Sequence, residues 1–267
     1  MTTAADNQEP EEEQLAEGTL LSHLVELRSR VMKAGLAVMA IFACLAPFSS
    51  RVFELVLRPM LAVLPADGGV APQPIATGVA SPFLTPFKTT FFVALFLAMP
   101  VVLYQIWQFV APGLYRREKR FAFPLLVSSI VLFYLGMAFA YFVVFRLMFT
   151  FFARVLPADV SMTPDIDAYL DFVIAIFLAF GAAFEVPIAT VMLIWSGLVS
   201  IKTLGRARAY VFLGAFVVGM FLTPPDIFSQ TLLAIPMYLL YESGLILARI
   251  LLPEKVAAEK AEKDIES

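Results

Sequence analysis

The feature that most restricts this chain is the repeated absence of charge over stretches long enough to cross a lipid bilayer. No residue in 34–50, 89–115 or 121–145 is charged, and 172–198 carries only Glu185. A helix rises 1.5 Å per residue, so about 20 apolar residues cover a hydrocarbon core of roughly 30 Å. Six spans follow, at roughly 31–50, 89–111, 121–145, 172–195, 209–222 and 227–248. Composition agrees: of 267 residues, 60% are hydrophobic, 15% are charged and 26 are Phe. A soluble domain carries roughly 25% charge and under about 50% apolar residues. The expected fold class is all-α, a polytopic membrane bundle without internal repeats.

The net charge of −3 conceals a segregation. Residues 1–18 are acidic and lack any base, and 253–267 mix both signs. Both ends read as disordered tails, too polar to bury themselves, around a membrane domain at 19–252. No basic region followed by an apolar core is visible near residue 1, so no cleavable signal is expected. The single cysteine, Cys44, excludes an internal disulfide and reads as a small buried hydrophobe. A single histidine, His23, excludes a histidine metal cluster. No basic patch interleaved with aromatics suggests nucleic acid. Zincin, nucleophile-elbow, Walker and dinucleotide signatures are missing. The expectation is therefore a non-enzyme with no cofactor and no metal.

Lys and Arg near the span ends divide unequally. Twelve, from Arg28, Arg30 and Lys33 through Arg116–Arg120 and Lys202–Arg208 to Arg249 and Lys255, fall on one side. Five (Arg51, Arg58, Lys88, Arg146 and Arg154) fall on the other. The richer side faces the cytoplasm, so both termini are expected inside, with Trp107 and Trp195 as interfacial aromatics at cytoplasmic helix ends. The fifth span is short, roughly 21 Å for 209–222. The turn Thr223-Pro224-Pro225-Asp226 makes the fifth and sixth spans an antiparallel hairpin. Outside, 51–64 reads as an interfacial amphipathic helix broken at Pro59, and 65–86 as Pro- and Gly-rich loop. The second outer loop ends at Thr163-Pro164-Asp165, a helix start whose Asp165, Asp167 and Asp171 suit the helix dipole.

Few polar residues stand out. Glu185 lies near the middle of the fourth span, beside Pro187, where a carboxylate costs a few kcal/mol unless it faces a partner or a wet cavity. It reads either as a functional group or as a protonated acid bonded to a neighbouring helix. Gln230 reads equally as a functional polar group or as an interhelical hydrogen bond. Glu26 stands four residues before Arg30, the favourable order for a helical ion pair. Glu118 is the lone acid among Arg116, Arg117, Lys119 and Arg120, and by composition it could be incidental to a basic topogenic loop.

Several blocks, in order and spacing, resemble the TatC family of twin-arginine translocases. They are His23-Leu24-Val25-Glu26-Leu27-Arg28, Ala80-Ser81-Pro82-Phe83, Phe109-Val110-Ala111-Pro112-Gly113-Leu114-Tyr115, Phe180-Gly181-Ala182-Ala183-Phe184-Glu185-Val186-Pro187, residues 214–230, and Ala234-Ile235-Pro236-Met237-Tyr238. The resemblance spans about 19–252. It implies a cup-shaped bundle of six helices in the bacterial inner membrane, with both termini cytoplasmic. It also implies binding of the twin-arginine signal peptides of folded cargo, work with the single-span partners TatB and TatA, self-association in a receptor complex, and drive by the proton motive force. By resemblance, Glu26 and Glu118 are the acids of signal-peptide recognition, Arg28 orders Glu26, and Phe109 lies near the binding loop. Glu185 matches an intramembrane acid on the concave side. Met220, Asp226 and Gln230 match positions of TatB or TatA contact. The rival reading is a proton-coupled secondary transporter that uses Glu185.

Overall fold

The computed structural model describes residues 9–63, 75–110, 119–155, 165–223 and 226–253. The chain is helical almost throughout: α1 (Glu9–Leu45), a 3-10 turn (Ala46–Phe48), α2 (Ser49–Val63), α3 (Ser81–Val110), α4 (Lys119–Phe139), a π turn (Ala140–Val144), α5 (Phe145–Val155), α6 (Ile166–Trp195), α7 (Ile201–Arg206), α8 (Arg208–Leu222) and α9 (Ile227–Leu251). Five segments are long and apolar enough to cross a bilayer: Leu24–Arg58, Ser81–Phe109, Phe123–Phe152, Ile166–Trp195 and Ile227–Leu251. The sixth span is the shorter Arg208–Leu222. Its 15 residues make a helix of only about 22 Å.

The spans form an open row. Helix α1 packs on α3, α3 reaches α4 and α6, α6 lies between α4 and α9, and α8 packs on α9. This arrangement of six spans is consistent with the cup-shaped bundle that the family resemblance implies. Helices at its ends stay largely uncovered, with Leu36 of α1 at 72% exposure and Tyr210 of α8 at 79%. For the same reason Cys44 is exposed on α1 and not buried as expected.

Glycines set the close contacts around α6. A Cβ on Gly136 of α4 would lie 2.5 Å from the Phe180 carbonyl oxygen, and one on Gly244 of α9 would lie 2.8 Å from the Pro187 Cα. Small residues let apolar helices approach closely where lipid gives no hydrophobic drive for association. Pro187 sits inside a continuous α6 and serves as the surface on which α9 rests. The π turn lies where the third span passes the core. Ala140, Val144 and Met148 stay buried across it, four residues apart.

Other elements differ from expectation. α2 runs through Pro59 without a break, since a proline removes one helical hydrogen bond and need not end a helix held by its apolar face. α1 begins at Glu9, within the stretch 1–18 expected to be unstructured. The residue types there, Glu, Gln, Leu and Ala, have high helix propensity, and acids suit a helix N-terminus. The charged tail from Glu254 lies outside the described residues.

The acids at the start of α6 do more than complement its dipole. Asp165 caps the helix, accepting from the backbone of Asp167 at 2.9 Å and of Ala168 at 3.1 Å. Its other oxygen accepts from the Thr77 backbone at 2.9 Å and the Thr77 hydroxyl at 2.5 Å. Asp167 accepts from the Ser81 and Thr85 hydroxyls, and Asp171 pairs with Lys88. Ser81, Thr85 and Lys88 share one face of α3, so a polar seam ties α3 and its leading loop to α6.

Two outcomes follow. Gly136→Ala and Gly244→Ala should each lower stability by about 1–3 kcal/mol through overpacking against backbone, read as thermal unfolding in detergent. Gly214→Ala, with nothing within 4 Å of its added Cβ, should be neutral. The hydrogen bond from Thr77, together with the backbone bonds, holds the Asp165 carboxyl at about 2, below its ordinary 3.8. A depressed carboxyl stabilises the fold above its unfolded value and loses that contribution as pH falls toward the folded one. Exchange protection of the Ile166 amide, which donates to the Ile75 carbonyl at 2.9 Å, should therefore persist from pH 7 to pH 4 after correction for intrinsic exchange. Asp165→Asn should reduce it at every pH.

Candidate functional site

Polar side chains concentrate at three places in this apolar bundle. At the end where α3 finishes, Glu26 of α1 accepts from Arg30, with Arg30 Nε at 2.9 Å and Nη2 at 2.5 Å, both on Oε1. Arg30 also donates to Gln108 Oε1 on α3, and Gln108 donates to the Tyr104 hydroxyl. The helical pair expected from spacing thus forms, and it is extended into a link between two helices. The guanidinium that orders Glu26 is that of Arg30. Arg28, expected in that role, is exposed, because two residues along a helix turn a side chain away from its neighbour. Phe109 is half-buried, next to Gln108 near the end of α3. Glu118 lies outside the described residues, immediately before Lys119, the first residue of α4.

The second place is inside the membrane. Trp107 Nε1 of α3 donates to Ser129 Oγ of α4 at 2.8 Å, and Ser129 Oγ donates to Glu185 Oε2 of α6 at 2.5 Å. Indole N–H can only donate, so it occupies a lone pair of the serine oxygen and directs the serine proton to the carboxyl. Three helices are joined in one chain of fixed direction. The other carboxyl oxygen, Oε1, is buried without a hydrogen-bond partner among the described residues. Trp107 lies near the end of α3, as expected, and also packs near Phe96, Leu103 and Phe133.

The third place is the α8–α9 hairpin. Asp226 caps α9, accepting from the Ser229 backbone at 2.7 Å. Gln230 donates to the Phe216 carbonyl of α8 at 3.2 Å, the interhelical bond that was one of its two readings. Met220 is 49% exposed on the outward side of α8. At the opposite end of the hairpin, Arg208 Nη2 donates to Glu242 Oε2 at 2.9 Å. Arg208 Nε lies 2.7 Å from Oε1 without hydrogen-bond alignment. The Tyr238 hydroxyl donates to the same Oε1 at 2.8 Å. Glu242 was missed in the sequence, though an acid within the sixth span was the available signal. Ser129 gave none, since nothing in its own neighbourhood points to Glu185. No group of three His, Cys, Asp or Glu suited to a metal occurs among the described residues.

The sequence profile described as "Sec-independent protein translocase protein (TatC)" matches residues 22–236. The chain belongs to the TatC family. A TatC protein of Azotobacter chroococcum mcd 1 is 56% identical over 240 residues, covering 90% of this chain and 92% of that one. The TatC protein of Escherichia coli (strain K12) is 52% identical over 230 residues, covering 86% and 88%. A crystal structure described as "Twin Arginine Translocase Receptor- TatC" superposes with a TM-score of 0.76 at 36% identity, covering 85% of this chain and 98% of the other. The chain is thus a multi-pass membrane component of a protein translocase, a transport subunit and not an enzyme. TatC membership gives no support to the transporter reading.

In this TatC-family bundle Ser129→Ala would orphan both the Trp107 N–H and Glu185 Oε2. It should cost about 1–3 kcal/mol in detergent unfolding. Trp107→Phe keeps most of the ring and orphans only the serine lone pair, so it should cost less.

Proposed function

We propose that this chain is the signal-peptide receptor of a twin-arginine translocase, gripping the paired arginines on Glu26 and Glu118. The observation that carries this reading is the linkage of Glu26 through Arg30 to Gln108. It sets a half-buried carboxylate beside the end of α3, from which the chain continues to Glu118. Arg30 engages only one of the two oxygens of Glu26. Oε2 is left to accept from a peptide guanidinium, whose planar, fixed donors lysine cannot copy. Arg28 and Phe109 flank this corner. The reading agrees with the description of the similar crystal structure as a twin-arginine translocase receptor.

On this reading the corner is cytoplasmic, as the distribution of basic residues indicates, and both termini lie inside the bacterial cytoplasmic membrane. The membrane domain at 19–252 carries the activity. The apolar part of the signal peptide lies along the concave wall toward Glu185. TatB and TatA bind the outward side of the hairpin, where Met220 and Phe221 are exposed and Asp226 and Gln230 supply polarity. The complex contains several copies of this chain, and the proton motive force drives transport.

Photocrosslinking of a twin-arginine peptide to protein in native membranes tests the docking site. Hydrogen bonds to a charged group contribute about 1.5–3 kcal/mol each. The pair Glu26→Ala plus Glu118→Ala should therefore weaken capture at least tenfold. Replacing the peptide's two arginines by lysines should do the same to the unaltered protein. Undiminished capture in either case refutes the site.

A further inference from the structure

A cavity of about 260 Å³ opens between α2, α3, α4 and α6, away from all three polar places. Its lining is apolar except for two hydroxyls, Thr89 and Tyr134. Both are already committed: Thr89 donates to the Thr85 carbonyl at 2.8 Å and Tyr134 to the Phe96 carbonyl at 2.9 Å. The cavity therefore offers no donor to a polar ligand. Ordered water needs two to four polar partners, and apolar cavities of only ~150 Å³ stay dry and take up benzene.

Position narrows the occupant further. The lining residues Thr89 to Leu97 lie about 12–24 Å along α3 from its start, at the depth of lipid tails. Val56 of the amphipathic α2 forms the roof. Leu97 and Tyr134, at 53% and 37% exposure, mark the side open to the membrane.

We propose that this cavity is a binding site for one acyl chain of a membrane phospholipid, held as a structural component between α2, α3, α4 and α6. The bound chain supplies packing where Phe92 and Phe177 leave a gap between two hydrophobic clusters, one around Leu170 and Phe180 and the other around Phe133. None of its residues belongs to the docking corner.

The test uses full-length protein in dodecyl maltoside with added dioleoyl phosphatidylglycerol. Native mass spectrometry should show one phospholipid that survives delipidation of the parent. Val93→Phe and Val173→Phe, which fill the cavity, should lose it. Lipid should raise the unfolding temperature of the parent saturably and should not raise that of the filled variants. Equal retention in parent and filled variants overturns the proposal. Should those variants fail to fold, the unaltered protein is crystallised with the lipid brominated across its oleoyl double bonds. Anomalous signal inside the cavity supports the site. Bromine only around the outer surface, or a detergent chain that phospholipid does not displace, overturns it.

Discussion

The bilayer interior offers no hydrogen-bond partner, so every polar group placed there must find one within the protein. This constraint organises the whole molecule. It makes the chain helical, because helices satisfy their own backbone. It also forces the few polar side chains of the spans into contacts that join one helix to another. Trp107, Ser129 and Glu185 bind α3, α4 and α6 together. Gln230 and the Arg208–Glu242 pair close the two ends of the α8–α9 hairpin. The acids at the start of α6 do the same for α3 and its leading loop.

The polar links matter because apolar packing in lipid is weakly directional. Leu and Phe faces gain little from meeting one another when acyl chains are an equal alternative. Close approach at Gly136, Gly181 and Gly244 supplies dispersion contact, and the hydrogen-bonded links specify register. The result is an open row in which the central α6 is well buried and the flanking α1 and α8 keep long exposed faces. A bundle that leaves its end helices uncovered is suited to a subunit that works against other helices.

Much of the architecture was legible in the sequence. The number and order of spans, the short fifth span, the hairpin at Thr223-Pro224-Pro225-Asp226 and the cap at Asp165 all rest on local properties: runs of apolar residues, prolines and capping chemistry. Span lengths were underestimated, because α3, the third span and α6 carry polar residues at their ends that the protein shelters. Lys88 counted as the limit of a span, but its pairing with Asp171 lets the helix extend outward past it. Cys44 was misplaced for a simple reason. An apolar residue on a membrane helix looks alike in sequence whether it faces protein or lipid.

The sequence by itself determined that this chain is a six-span helical membrane protein and where its rare charges fall, because charge-free length and helix capping are properties of neighbours along the chain. Only the tertiary structure decided which partner each rare polar group takes. Arg30 reaches across to Gln108, Ser129 holds Glu185, and Glu242 meets Arg208 across the hairpin. Each of those choices joins two different helices and depends on how they pack. Distance and direction between helices are fixed by packing, which no local stretch of residues encodes.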